Sequence, residues 1–251
     1  MIYLYNIIFY QPIFNLLIWL YNVIPGHDIG VAIIILTVII RVLLYPLSLQ
    51  SIKSQKALSD LQPKIEDLKK KYADNKEKMA QEMMALYKAE KVNPASSCLP
   101  LLIQFPFLIA VYQVFRNGLA SDGFNMLYPF VANPGQISAI SMGFLDLAVS
   151  SWPLAILAGL AQFWQTKMMI SRKQPPIKTD KPMEGSKDEA MLSIMNKQMT
   201  YIAPIMTVII GISLPAGLTL YWFLSTLLLA LQQLFIFNKK SADVNQQQKI
   251  N

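Results

Sequence analysis

The chain has 251 residues, 54% of them apolar and only 15% charged, with a formal net charge of +7 and a positive mean hydropathy. Soluble domains carry nearer a quarter charged residues, so this composition predicts a membrane protein. The single Cys98 and the single His27 exclude an intrachain disulfide and any His- or Cys-based metal or acid–base site.

Residues 2–24 are rich in aromatics, with Pro12 in the middle. The part after the proline is too short to span a hydrocarbon core of about 30 Å. Gln11, Asn15 and Asn22 fall at spacings of four and seven, one polar stripe on a greasy helix. With Trp19 and Tyr21 this predicts that residues 1–29 are an interfacial amphipathic helix; the rival reading is a first span running through the proline. Pro25-Gly26-His27-Asp28 closes the segment as a turn. No cleavable signal peptide is evident, because a basic n-region and a small-residue cleavage site are both missing.

Val31 to Gln50 reads as an apolar helix of spanning length with one arginine, Arg41, lodged inside it. A guanidinium cannot be deprotonated, and at mid-bilayer it costs about 2.5–3.5 kcal/mol on insertion scales. The long polar region 51–95 follows. Leu58, Leu61, Ile65, Leu68 and Tyr72 recur at three and four residues, predicting a helix with a narrow apolar seam, and Pro63 is expected to mark a break or a fresh start. Asp74 with Glu77 resembles a capping box for a second helix, which carries Met79, Met83 and Leu86 on one face with Tyr87 beside them. Together they make a helical hairpin whose ten lysines face seven acids.

Residues 99–116 form a second span, interrupted by Pro100 and Pro106 and carrying Gln104 and Gln113. Residues 117–151 hold no Lys or Arg, while 152–170 form a third span with Gln162 and Gln165. A polar loop with Pro175-Pro176 precedes spans at 199–214 and 216–237, which a tight turn at Pro215 to Gly217 joins. Residues 241–251 read as a short disordered tail. Of 22 Lys and Arg, ten lie between Lys53 and Lys91, seven between Lys167 and Lys197, and three after Phe237. The positive-inside rule therefore puts 51–95, 171–197 and the C-terminus in the cytoplasm, and 117–151 outside.

Arg41 falls roughly at or a little inside the midplane, given a rise of 1.5 Å per residue. Snorkelling to the cytoplasmic surface is opposed by Val42-Leu43-Leu44-Tyr45-Pro46, which lies between it and the first polar residue. The five spans contain no Asp or Glu, so no intramembrane salt bridge is available. Water is the remaining solution: Arg41 lines a wet cavity with Gln104, Gln165, Thr219 and Trp222 as candidate neighbours. The lack of intramembrane acids also counts against a proton-coupled transporter. No nucleophile–base pair, metal set or phosphate loop is present, so the expectation is a protein that is not an enzyme and uses no cofactor.

The run 79–115, MAQEMMALYKAEKVNPASSCLPLLIQFPFLIAVYQVF, resembles the signature of the YidC/Oxa/Alb family of membrane protein insertases. So do IIRVLLYPLSLQSIKSQKALSDLQPKI (39–65), GLAQFWQTKMM (159–169) and LPAGLTLYWFLSTLLLALQQ (214–233). The resemblance implies an all-α fold, with five transmembrane helices in an insertase core (30–240) around a hydrophilic groove open to the cytoplasm and lipid. It implies groove residues Arg41, Gln165 and Trp222, with Tyr221 beside it, and a hand-in hairpin marked by Leu61, Pro63, Met83 and Tyr87; Gln104 falls in its PLLIQ motif, and the groove roles of Gln104 and Thr219 come from the reading of the residues themselves. The implied partners are newly made membrane proteins and the lipid bilayer of a bacterial plasma membrane, with the general secretion channel as a further candidate and no nucleic acid. Ala95-Ser96-Ser97 departs from the commoner Leu-Gly-Gly, and the short tail weakens the expectation of ribosome docking. The alternatives are an assembly partner of the secretion channel without autonomous activity, and a small-solute transporter subunit.

Overall fold

A computed structural model describes residues 2–72, 75–93, 99–118, 121–170 and 201–250, and it is helical almost throughout. The N-terminal segment is one nearly continuous helix: α1 (Ile2–Tyr5), a π-turn at Asn6–Tyr10, and α2 (Gln11–Val23). Pro12 does not break it, because a proline in the first turn of α2 lacks only an N–H that the helix end would leave unpaired. Tyr3–Val23 is consequently long and apolar enough to cross a membrane.

Gly26 and His27 turn the chain with positive φ. Asp28 then caps α3 (Ile29–Leu43), its Oδ1 accepting from the Gly30 and Val31 amides at 2.8 and 3.1 Å. The expected single helix through Gln50 is in fact two. α3 stops at Leu43, and α4 (Tyr45–Lys71) leaves at 65° to it. Pro46 fits the first turn of the new helix, where its ring obstructs nothing.

The hairpin forms as α4 and α5 (Lys76–Ala89), closed by a Lys64–Glu90 ion pair. Two details correct the sequence reading. Pro63 lies inside an unbroken α4. It is exposed there, between the buried Leu61 and Ile65, so the apolar seam on the other face carries the helix past it. The cap of α5 is Asn75, whose Oδ1 accepts from the Lys78 amide at 2.9 Å; Asp74 lies outside the described residues.

α6 (Leu99–Gln113) accommodates Pro106 and ends in a π-turn at Val114–Gly118. A short 3-10 turn and a two-stranded ribbon, β1 (Ile140–Ser141) against β2 (Leu145–Asp146), occupy the following loop. α7 (Trp152–Ile170), α8 (Tyr201–Ser213) and α9 (Ala216–Ile250) complete the chain. α9 runs through the stretch expected to be a disordered tail. Tyr201–Ser213 and Ile103–Arg116 are apolar but shorter than a full span.

α9 is the hub, packed against α3, α6 and α7. Gly159 lets α7 approach α8, since an added Cβ would strike Val208. The apolar core joins Phe14, Leu17 and Ile18 of α2, Ile33 and Leu36 of α3, Val111 of α6, and Leu218 and Tyr221 of α9, with Leu147 from the loop. The outward faces of α7 and α8 expose Leu157, Leu160, Ile205 and Ile209, as expected of surfaces bathed in lipid tails.

Candidate functional site

The core lies in the half of the bundle nearest the 121–151 loop. Along α3, Ala32, Ile33 and Leu36 are fully buried and apolar, and Thr37 satisfies its hydroxyl on the Ile33 carbonyl at 2.6 Å. One turn later comes Arg41, and the interior changes character. Its Nε is buried without a protein partner among the described residues. The guanidinium is in electrostatic contact with the Tyr221 hydroxyl of α9. That hydroxyl accepts from Gln104 Nε2 of α6 at 2.5 Å, and Ser225, one turn along α9, lies against it. Three helices thus contribute four polar groups, two of them from α9, to a cluster centred on a fully buried tyrosine.

The cluster sits at the rim of the bundle. Val38, Val42 and Leu43, which flank Arg41 on α3, are exposed. Below it, toward the α4–α5 hairpin, polar burial continues with Ser48, Ser51 and Gln55 on α4 and Thr226 and Gln233 on α9. Such atoms are expensive to bury unpaired, each costing about 1–3 kcal/mol. Ser48 is satisfied on the Leu44 carbonyl at 2.7 Å, whereas Gln55 Oε1 and both amide atoms of Gln233 find no protein partner among the described residues.

The expected site residues divide. Arg41, Gln104 and Tyr221 come together. Gln165 is buried on α7, its Oε1 accepting from Gln162 Nε2 at 3.2 Å. Trp222 is half-buried on a neighbouring face of α9. Thr219 lies at the α8–α9 corner, fully buried, where its hydroxyl donates to the Gly211 carbonyl at 3.2 Å. In the hairpin, Leu61 is buried in the seam while Met83 and Tyr87 are half-buried on α5.

The sequence reading missed Ser225, Gln55, Gln232 and Gln233, although the spacing of Tyr221 and Ser225 marks one helix face. It also missed the partner of the polar stripe on α2, which meets the loop rather than solvent. Asn15 accepts from the Tyr128 amide at 2.6 Å and donates to the Met126 carbonyl at 3.0 Å, which Gln11 also reaches at 3.2 Å. Asn22 donates to the Ala132 carbonyl at 2.7 Å. Asp28 completes this cap by accepting from the Ser141 hydroxyl and the Met142 amide, both at 2.6 Å. Burial raises the Asp28 pKa somewhat, but the bonds from Ser141, Met142, Val31 and Gly30 outweigh it and hold the carboxyl below its ordinary value. The loop also closes over the start of α9, where the Ala216 and Gly217 amides donate to the Val149 and Leu147 carbonyls at 2.8 and 3.0 Å.

Comparison with known proteins agrees with this architecture. Residues 19–243 match the family model for the 60Kd inner membrane protein. The chain is 33% identical to a protein of Fusobacterium nucleatum called membrane protein insertase YidC, covering 84% of this chain and 87% of that one. A protein of the same name from Oceanobacillus iheyensis is 32% identical over 93% of this chain and 83% of its own length. Other relatives are longer: the chain spans 25% of one from Chlamydia caviae that is 34% identical to it. The helical bundle and these matches agree with the motif resemblance, and the chain belongs to the YidC/Oxa/Alb insertase family.

Proposed function

We propose that this protein inserts small or short-tailed membrane proteins into the bacterial plasma membrane, using the half of its bundle below Arg41 as a polar groove open to the cytoplasm. The observation that carries this is Arg41 itself: a permanent cation with a buried, unpaired Nε, beside Tyr221, in a bundle whose spans contain no acid. Water in the groove hydrates it. The guanidinium attracts an acidic or polar tail more strongly than it would in bulk, because screening is weaker in a low-dielectric site. The tail is thereby held partway across. The exposed apolar face of α7, with Leu157 and Leu160, then lets the following helix slide into lipid, and burial of its apolar surface drives the step.

The charge distribution supports an orientation with the α4–α5 hairpin and the C-terminus in the cytoplasm. The loop-side cap is then the extracytoplasmic seal. The stripe from Gln11 to Asn22 follows that loop for about 16 Å at 1.5 Å per residue, which supports α2 lying along the outer surface rather than crossing.

Reconstitution tests the reading. Vesicles holding only this protein should translocate the acidic tail of a small single-span protein into a protease-protected lumen, and Arg41→Ala should reduce the yield. Insertion no better than in protein-free vesicles would overturn it.

A further inference from the structure

The largest group of orphaned amides is not at Arg41 but further along α9, where α4 packs on it. Leu229, Gln233 and Phe237 recur every four residues and so share one helix face. Leu229 and Phe237 grip Ile52 of α4 in a small apolar cluster, and the Lys56 ammonium stands 5.4 Å from the centre of the Phe237 ring. Gln233 therefore lies between the two clamps. It is 0% exposed, and neither end of its amide meets a protein partner among the described residues. Gln55, one turn beyond Ile52 and 5% exposed, reaches Ser51 with its Nε2 at 3.4 Å while its Oε1 stays unpaired. The Nε2 of Gln232 is buried and unpaired as well.

This is a poor permanent seal. Where α4 meets α9, carboxamides in deficit lie beside a cluster of Ile52, Leu229 and Phe237, with Ile236 against it, and one cation–π contact, while α4 also packs on α6 and α7. A leucine at position 233 would carry no such desolvation penalty. The covering helix is also hung on a bend, 65° at Leu44, about which it can move as a rod.

We propose that Gln55, Gln232 and Gln233 form a second polypeptide-binding site, covered here by α4 and uncovered when α4 and α5 swing away from α9. Its ligand is extended main chain rather than any one side-chain type. A carboxamide offers a donor and an acceptor, as a peptide group does, so a row of them matches successive peptide groups of any sequence. The site is uncharged and accepts acidic, basic and neutral tails alike; discrimination by charge falls to Arg41 beyond it. This inference rests on the insertase reading and adds a station on the cytoplasmic side of the cation.

The test uses the full chain in vesicles with Cys98→Ser, Ile52→Cys and Leu229→Cys, joined by a short reducible bis-thiol reagent. Insertion should fall about tenfold in the joined protein and return on reduction, as for an enzyme whose lid is tied shut. Gln233→Leu should unfold at a higher temperature yet insert several-fold more slowly, as expected when an unsatisfied group that serves function is replaced. A photoreactive side chain at position 233 should crosslink to the translocating chain before reduction only in unjoined protein. Insertion by the joined form at the unjoined rate, wild-type insertion by Gln233→Leu, or photoadducts with lipid alone would each overturn the second site. If the unjoined parent inserts nothing, the insertase reading itself falls and this site with it.

Discussion

The two halves of the bundle are built from the same helices by opposite rules. On the loop side the polar side chains of α2 and α3 and the α3 cap are paired, chiefly with backbone: Asn15 on the 126–128 backbone, Asn22 on Ala132, Thr37 on Ile33, and Asp28 on four donors that include the Ser141 hydroxyl. The space between is filled by Phe14, Leu17, Ile18, Ile33 and Leu36. On the hairpin side the interior contains a guanidinium nitrogen and three glutamines whose buried atoms find no protein partner among the described residues. One half is sealed and dry, the other polar and under-satisfied. Under the proposed function this asymmetry would let polar segments enter from one side and stop them leaking through the other; the change falls within one turn of α3, between Thr37 and Arg41.

Substitutions should separate the halves by size and sign. The largest effect is expected from Phe14→Ala, which empties a fully buried ring site in the dry half and should cost about 3–5 kcal/mol in denaturant unfolding, with insertion per folded molecule preserved. Arg41→Met should act oppositely. Removing an uncompensated buried charge leaves stability unchanged or raises it by about 1–4 kcal/mol, while insertion of acidic tails falls. A matching loss of stability would show that Arg41 is a structural strut. Asn15→Ala strands the Tyr128 amide, leaving the Met126 carbonyl to Gln11 alone, and should cost about 1–3 kcal/mol, read as faster hydrogen exchange at residues 126–132.

Smaller still is the acid response of the cap. Because the Asp28 carboxyl is held below its ordinary value, its contribution is complete above the unfolded carboxylate value near 3.9 and is lost as pH falls through the folded one. Protection from exchange at 140–148, relative to the intrinsic rate at each pH, should therefore fall on acidification below about pH 4, and Asp28→Asn should abolish that dependence at the loss of about 1 kcal/mol of capping. Least of all, Glu90→Gln breaks an exposed ion pair and should shift unfolding by less than about 1 kcal/mol.

The same division governs what the sequence made legible. The start of α7 was legible, because Trp152-Pro153 opens it cleanly; its other end lies at the edge of the described residues. Arg41 stood out as a cation with no acid available, an argument that needs no coordinates. The stripe on α2 was visible as a period, but a period says only that one face wants polar company; it cannot say whether water or the backbone of residues 126–132 supplies it. Pro63 misled because local propensity expects a break, whereas burial of Leu61 and Ile65 in the hairpin seam holds α4 through it. Gln55 and Gln233 were hidden for a related reason. Gln55 is one glutamine among many polar residues of α4 and Gln233 an ordinary glutamine in the apolar part of α9, and their unpaired amide atoms are a property of the α4–α9 crossing.

The boundary between the halves can be measured directly. In a Cys98→Ser background, Thr37→Cys and Ser225→Cys place a thiol of similar size on either side of it, both at sites less than 3% exposed. A membrane-impermeant maleimide added from the cytoplasmic side should label Ser225→Cys in intact membranes and leave Thr37→Cys unmodified until detergent denatures it. Equal protection of both would mean that the helices pack dry around Arg41, and the groove would have to be abandoned.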